Sequence, residues 1–211
     1  MAKYALDIDG VVADYLTARA AAAKQIGIRP LSQPVGMKPE ELDAFMGERV
    51  AAVNRAMRDY ISDHLEEFFG GLACTVGDED RRAIRSAAAQ GHELFWLTNR
   101  YVSTELAHIT LDWLKRNDLP ADYAHLILTR NKATVIQKLN LRYHLDDRVA
   151  QVTSIALQSQ AKVFLLRRPW NQHFIVFQPD EPNTEFVTSA GAYGVDEVDS
   201  IAEYLTFVVD R

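Results

Sequence analysis

The stretch Tyr4-Ala-Leu-Asp-Ile-Asp-Gly-Val-Val-Ala-Asp14 (YALDIDGVVAD) runs the apolar residues of a buried strand directly into two carboxylates, Asp7 and Asp9. In an extended chain, residues two apart point the same way, so this reading puts both acids on one face at the strand's end. Ionised and unpaired they repel each other, so something positive must sit between or beside them. That charge has to come from elsewhere in the chain or from a bound cation.

The chain around this stretch has 211 residues, 48% hydrophobic and 25% charged. That length holds one sizeable α/β domain, or a domain with a small insertion, without metal or disulfide staples. The composition excludes collagenous, disordered and membrane classes. No apolar run approaches a membrane span, and strand-like sequence follows Lys3 at once, without the order of a secretory leader. These features set the expectation of a cytoplasmic protein. A single cysteine, Cys74, forms no internal disulfide and reads as a small buried apolar residue. The net charge of -6 argues against a polynucleotide partner, which usually meets a basic stripe. A small anionic ligand fits an acidic protein, because a few local cations hold a phosphate whatever the global sign.

Outward from the first strand (3–9), strand patterns recur at 93–98, 124–128, 143–145 and 162–166. Helical patterns fall between and after them, at 78–90, 103–117, 132–139 and 149–159. This alternation is the signature of a mostly parallel, Rossmann-like sheet flanked by helices. Residues 15–72 break it with helical sequence and no strand, and read as a small helical unit inserted after the first strand. Pro30, Pro34, Gly36 and Pro39 separate its first helix from the rest. The expected division is a core of residues 1–14 and 73–211 and an insertion of residues 15–72. Residues 180–194 read as irregular surface, followed by a closing helix over 196–209.

In an open parallel sheet, ligands bind beyond the carboxyl ends of the strands. The residues there are Asp7, Asp9 and Gly10, then Thr98, Asn99 and Arg100, then Lys132 before a helix, and Asp146 and Asp147. Four carboxylates cannot share a crevice ionised without a cation. Hard oxygen ligands without Cys or His spacing point to Mg²⁺, which commonly uses one or two carboxylates plus substrate phosphate. Phosphoryl chemistry follows as the expectation, with Thr98 and Lys132 on the phosphoryl oxygens.

Asp7-Ile-Asp9-Gly10-Val11, Thr98, Lys132 and Asp146-Asp147 resemble the four motifs of the haloacid dehalogenase-like superfamily. Three stretches, DIDGVVADY at 7–15, ILTRNKATVI at 127–136 and HLDDR at 144–148, are similar to the 5'(3')-deoxyribonucleotidases; RPWNQ at 168–172 resembles a shorter element of bacterial relatives. The resemblance implies a Mg²⁺-dependent phosphomonoesterase acting on a 5'-(deoxy)nucleoside monophosphate, with the insertion as a cap over the substrate. Asp7 would be the nucleophile that forms an aspartyl-phosphate, and Asp9 the general acid and then base. Thr98, Asn99 and Lys132 would bind phosphate. The metal would lie among Asp7, the Asp9 main-chain carbonyl, Asp146 and Asp147, with Asp147 the preferred direct ligand. An acid at the position of Asp9 marks the superfamily's phosphatases and mutases. One departure is Asn99-Arg100, where relatives of the mammalian enzymes carry Ser-Pro; it changes the outer edge of the phosphate pocket.

Other readings stand beside these. Asp7 and Asp9 are also suited to capping the following helix. Lys138 competes with Lys132, and Arg100 reads equally as a substrate contact or an exposed charge. Tyr15 is a candidate contact at the cap opening. Trp96 reads as core, Phe68 and Phe69 as packing between insertion and core with one of them open to the pocket, and His144 as a satisfied core or surface residue. Competing functions are a phosphatase for a polynucleotide 3'-phosphate or another small phosphomonoester, and a non-catalytic nucleotide-binding module. The expected partner is a small phosphomonoester and no membrane; a homodimer is left open.

Overall fold

The computed structural model describes residues 1–28, 39–171 and 194–209, and for 39–48 the backbone alone. Pro30, Pro34, Gly36 and nearly all of the irregular stretch expected at 180–194 lie outside the described residues. The strands are β1 (Lys3–Leu6), β2 (Glu93–Thr98), β3 (Leu126–Leu128), β4 (Tyr143–Asp146), β5 (Lys162–Leu166) and β6 (Asp196–Val198). All pair in parallel in one sheet of order β3-β2-β1-β4-β5-β6. The helices are α1 (Tyr15–Gln25), α2 (Pro39–Asp63), α3 (Leu65–Gly70), α4 (Asp78–Ala89), α5 (Thr104–Arg116), α6 (Lys132–Leu139), α7 (Val149–Gln158) and α8 (Ile201–Val209).

Alternation along the strands divides the core in two. Tyr4, Leu6, Trp96, Phe164 and Leu166 face one side, under α4, α5 and α8. Ala5, Phe95, Leu97, Val163 and Leu165 face the other, under α6 and α7. With both faces covered, the middles of β1, β2 and β5 are continuous apolar runs, as parallel strands in such sheets are. Trp96 is core as expected: it is fully buried and its Nε1 donates to the carbonyl of Pro120 at 2.7 Å. Met57, Ile61, Phe68 and Phe69 of α2 and α3 join the first cluster, so α3 and the C-terminal half of α2 pack on the core.

Two sequence expectations change. β1 stops at Leu6 rather than at residue 9, because the chain turns sharply after Asp7. The closing helix begins at Ile201, and Asp196–Val198 is instead a sixth, edge strand on β5. Three residues, two of them acidic, carry no readable alternation, so tertiary pairing alone makes that strand.

The strand order reverses direction between β1 and β4. In doubly wound sheets the crevice at such a switch point, beyond the carboxyl ends, is where ligands sit. Asp7 follows β1 there, and Asp146 and Asp147 close β4 beside it.

Candidate active site

The Asp7 amide donates to the carbonyl of Leu145 at 2.9 Å, which still ties it to β4. The chain then folds back: the amides of Val12 and Ala13 both donate to Ile8 O at 2.9 Å, and Gly10 takes φ +90°. This turn overturns the expectation that both acids share one strand face. Asp7 points to Lys132 and Asp9 to Arg100, although both line one cavity of about 560 Å³. Gly10 is required twice over. Its φ suits glycine, and a Cβ there would lie 2.2 Å from Asp147 Oδ2. Neither acid caps the following helix; Asp14 does, accepting from the Thr17 amide at 3.1 Å.

At the switch point, oxygen atoms of Asp7, Asp146 and Asp147 lie within 4.8 Å of one another, all three residues buried. Asn131 caps α6 and so fixes Lys132 at its first turn. The Lys132 ammonium, 2% exposed, stands 2.8 Å from Asp7 Oδ1 and 2.5 Å from Asp146 Oδ2. Lys138 is exposed, so the competition between the two lysines is settled by position. Burial alone would depress the Lys132 ammonium, but Asp146 and Asp7 outweigh it and raise its pKa. Burial also opposes the charge on Asp146, yet Lys132 and a hydrogen bond from His144 win and hold that carboxyl well below its ordinary value. His144 is itself buried and pushed down by burial, which fits a neutral core ring whose Nε2 lies 3.3 Å from Asp146 Oδ2.

Asp7 and Asp147 behave oppositely. Burial drives Asp7 well above the usual carboxylate range, with Lys132 opposing and Asp146, Asp9 and Asp147 adding to the rise. Asp147 is pushed up to about 6, by burial and by Asp146. Fully ionised, three carboxylates and one ammonium would leave two uncompensated negative charges, and the upward shifts of Asp7 and Asp147 reflect that strain, which a divalent cation would relieve. The donor set is all oxygen, and Asp147 Oδ1 is buried without a hydrogen-bond partner among the described residues. By contrast, Asp146 has Oδ2 on Lys132 and Oδ1 on the Arg148 amide. The residues therefore fit Mg²⁺, with Asp147 better placed than Asp146 for direct ligation. Asp9 stands apart through its side chain, and only its main-chain carbonyl is open to that role.

The Asp9 carboxylate is gripped by Arg100, whose Nε and Nη2 donate to its two oxygens at 3.0 and 2.7 Å. Arg100 is 4% exposed, bonds Thr110 Oγ1 at 2.8 Å and stacks 4.5 Å from the Phe69 ring centre. An exposed charge is thus ruled out for it. Thr98 is fully buried, its hydroxyl 3.4 Å from Asp9 Oδ2, and it does not line the cavity, whereas Asn99 does. Tyr15 lines the cavity as well, edge-on to Phe68 at 5.7 Å.

A brace escaped the sequence reading in detail. Arg168 donates through Nε and Nη2 to the carbonyls of Gly10 and Val11, Asn171 donates to the carbonyls of Asp147 and Leu166, and Trp170 Nε1 donates to Asp147 Oδ2 at 2.7 Å. The RPWN segment thereby locks the Asp7–Gly10 turn to the Asp146-Asp147 pair. The sequence also gave no sign that Arg19 and Arg58 of α1 and α2, and Arg130 and Arg148 of the core, converge on the cavity.

No protein-family model and no curated protein matches this chain. Solved structures do. A haloacid dehalogenase family hydrolase from Deinococcus radiodurans R1, with bound phosphate and sodium, superposes with a TM-score of 0.57 at 14% identity, over 99% of this chain and 95% of that one. A haloacid dehalogenase-like hydrolase from Streptococcus pneumoniae gives 0.59 at 11% identity, over 99% and 98% of the two chains. The D,D-heptose 1,7-bisphosphate phosphatase from Burkholderia thailandensis gives 0.53 at 8% identity, over 100% of both. At such identities the likeness establishes the fold, which is the haloacid dehalogenase-like one.

Proposed function

We propose that the protein is a Mg²⁺-dependent phosphomonoesterase for a small nucleotide-type phosphate ester, working through an aspartyl-phosphate on Asp7. The observation that carries this reading is the buried group of Asp7, Asp146, Asp147 and Lys132 at the switch point, two charges short of neutrality when all three acids are ionised, with Asp7, Asp147 and Lys132 lining a cavity of ligand size. The nucleotide part rests on the motif stretches at 7–15, 127–136 and 144–148. Of the solved structures with this fold, one is named a phosphatase and one holds phosphate, which is consistent with the reaction class.

In this reading Asp7 attacks the phosphorus, the bond to the ester oxygen breaks, and Asp9 delivers a proton to the departing alkoxide. A water then attacks the aspartyl-phosphate as Asp9 takes its proton, releasing phosphate and restoring Asp7. Bound by Asp7, Asp147 and the Asp9 carbonyl, Mg²⁺ would neutralise the charge on the phosphoryl oxygens. Lys132 adds positive charge beside Asp7, and Asn99 offers an amide to a phosphoryl oxygen. The Arg100 fork occupies both Asp9 oxygens and holds the carboxyl in one orientation. A proton on one of those oxygens leaves it a lone pair for Arg100, with a weaker bond than the carboxylate makes. Residues 15–72 act as the cap, because Tyr15, Arg19, Met57, Arg58 and Phe69 form one wall of the cavity. A cavity of about 560 Å³ is the size of a small ligand, which favours one over a polynucleotide end.

The test is phosphate release from a panel of 5'- and 3'-nucleoside phosphates, ribo and deoxy, and of sugar phosphates, with Mg²⁺ or chelator. Mg²⁺-dependent release that vanishes in a folded Asp7→Asn protein is the expected result. Turnover by that variant would refute the covalent mechanism.

A further inference from the structure

The cavity carries more positive charge than one transferred phosphoryl group uses. Six cations line it against three carboxylates, Asp7, Asp9 and Asp147, in a chain whose net charge is -6. Lys132 is committed to Asp7 and Asp146, and Arg100 to Asp9. The other four are all arginines: Arg19 on α1, Arg58 on α2, Arg130 ahead of α6, and Arg148 next to Asp147. Among the described residues none of the four has a carboxylate partner; Arg19 donates to Asn54 Oδ1 at 2.8 Å.

Elsewhere on the surface some cations meet acids, while others, Arg55, Arg82 and Lys138 among them, have no carboxylate partner among the described residues. Lys3 meets Glu93, Arg85 meets Asp118, Lys162 meets Asp196 and Arg167 meets Asp199. Guanidinium groups gathered round one cavity repel each other; Arg19 also ties α1 to α2 through Asn54, but among the described residues no carboxylate offsets that repulsion for Arg19, Arg58, Arg130 or Arg148. They come from both walls: two from the helices between β1 and α4, two from the core. Tyr15 lines the same cavity and offers a neutral hydroxyl donor, its pKa raised by burial and by Asp9 against Arg19, Arg100 and Arg148. Planar, permanently charged forks are suited to the oxygens of a phosphate, and four of them match a dianion better than a single carboxylate.

We propose that the substrate carries a second, non-transferred phosphate, held across the cavity by Arg58 and Arg148 with Arg19 and Arg130 beside them. This rests on the phosphomonoesterase reading above. A nucleoside bisphosphate and a sugar bisphosphate offer the same chemistry, and the experiment separates them. An anion bridging the two walls would also draw the cap helices onto the core, so specificity and closure would depend on the same contacts.

The experiment is calorimetric titration of the full-length chain, as Asp7→Asn with Mg²⁺ and as wild type in chelator, so that no turnover intrudes and failure of one preparation to fold leaves the other. Two ligand pairs are compared: a nucleoside 5'-monophosphate with its 3',5'-bisphosphate, and a hexose 6-phosphate with its 1,6-bisphosphate. In one pair the bisphosphate is expected to bind about tenfold to a hundredfold tighter, from one or two added charge-assisted contacts. Arg58→Gln and Arg148→Gln should each bring that ratio down toward one, while Arg85→Gln, on α4 and paired with Asp118, should leave it in place. Ratios within about threefold of one in both pairs, or a ratio that survives both cavity substitutions, overturn the inference. Release of phosphate from monophosphates with no advantage for bisphosphates overturns it too, and leaves the phosphomonoesterase standing. Arginine-dependent bisphosphate binding with no release from any substrate supports the second-phosphate site and overturns the phosphomonoesterase.

Discussion

Replacing Lys132 by Met keeps the side chain's length and removes the only ammonium among three buried carboxylates. The Lys132 nitrogen is 2.8 Å from Asp7 and 2.5 Å from Asp146, with 2% of the residue exposed, so water cannot take its place without rearrangement. Removing one partner of a buried ion pair costs about 3–5 kcal/mol, because the remaining charge is left without compensation. For a chain of this size that is a fall in Tm of about 6–20 °C. The loss has a pH signature. Lys132 is what opposes the burial-driven rise of the Asp7 carboxyl and keeps Asp146 low. Without it the folded protein holds protons that the unfolded chain has released, so the deficit grows as pH rises and shrinks as pH falls. Added Mg²⁺ should recover more stability in the variant than in the wild type, since it meets three carboxylates with no competing ammonium. Urea unfolding in chelator at pH 5 and pH 8, with and without Mg²⁺, reads all three effects. Lys138→Met, at an exposed position, serves as the control and should stay within about 0.5 kcal/mol of wild type. A Lys132→Met protein as stable as that control at pH 8 would refute the charge argument, and with it the case that the trio is short of positive charge.

Three further expectations follow from the same geometry. Gly10→Ala puts a methyl 2.2 Å from Asp147 Oδ2 at φ +90°, so it should cost about 1–3 kcal/mol in urea unfolding and weaken Mg²⁺ binding by calorimetry; unchanged affinity would mean that Asp147 is not a ligand. Asp147, raised to about 6, should stabilise the metal-free fold below the ordinary carboxylate range and lose that contribution as pH rises through about 6, while Mg²⁺ affinity rises over the same interval. A pH-independent Mg²⁺ affinity between pH 5 and 7 would contradict this. Arg100→Lys keeps a charge but loses the fork on Asp9 at 3.0 and 2.7 Å, so kcat should fall about tenfold or more with a smaller change in KM; a pure KM effect would make Arg100 a substrate contact instead.

Much of the site was legible because its residues follow strands directly in sequence. Asp7, Thr98 and Asp146-Asp147 close apolar runs, and in a parallel sheet the end of each run is delivered to the same crevice whatever the helices between do. Lys132 was legible because a helix begins there. What the sequence concealed depends on which way a side chain turns after the strand has ended. The turn at Gly10 separates two acids that an extended chain would have aligned, and it sends Asp9 to an arginine that read equally as a substrate contact or an exposed charge. β6 was hidden because three residues carry no period. Arg19 and Arg58 were hidden for a different reason: on α1 and α2 a solvated arginine and a ligand-binding one have the same helical spacing, and only the shared cavity at the strand ends tells them apart. The parts of the chain that set the chemistry are thus written in local pattern, whereas the parts that would choose the substrate are written in tertiary convergence. The same acidic trio would serve any phosphate ester, but Arg58 and Arg148 come to line one cavity only because α2 packs on the core. Selectivity in this protein should therefore be altered by substitutions in the cap that leave the Mg²⁺ affinity of the trio unchanged.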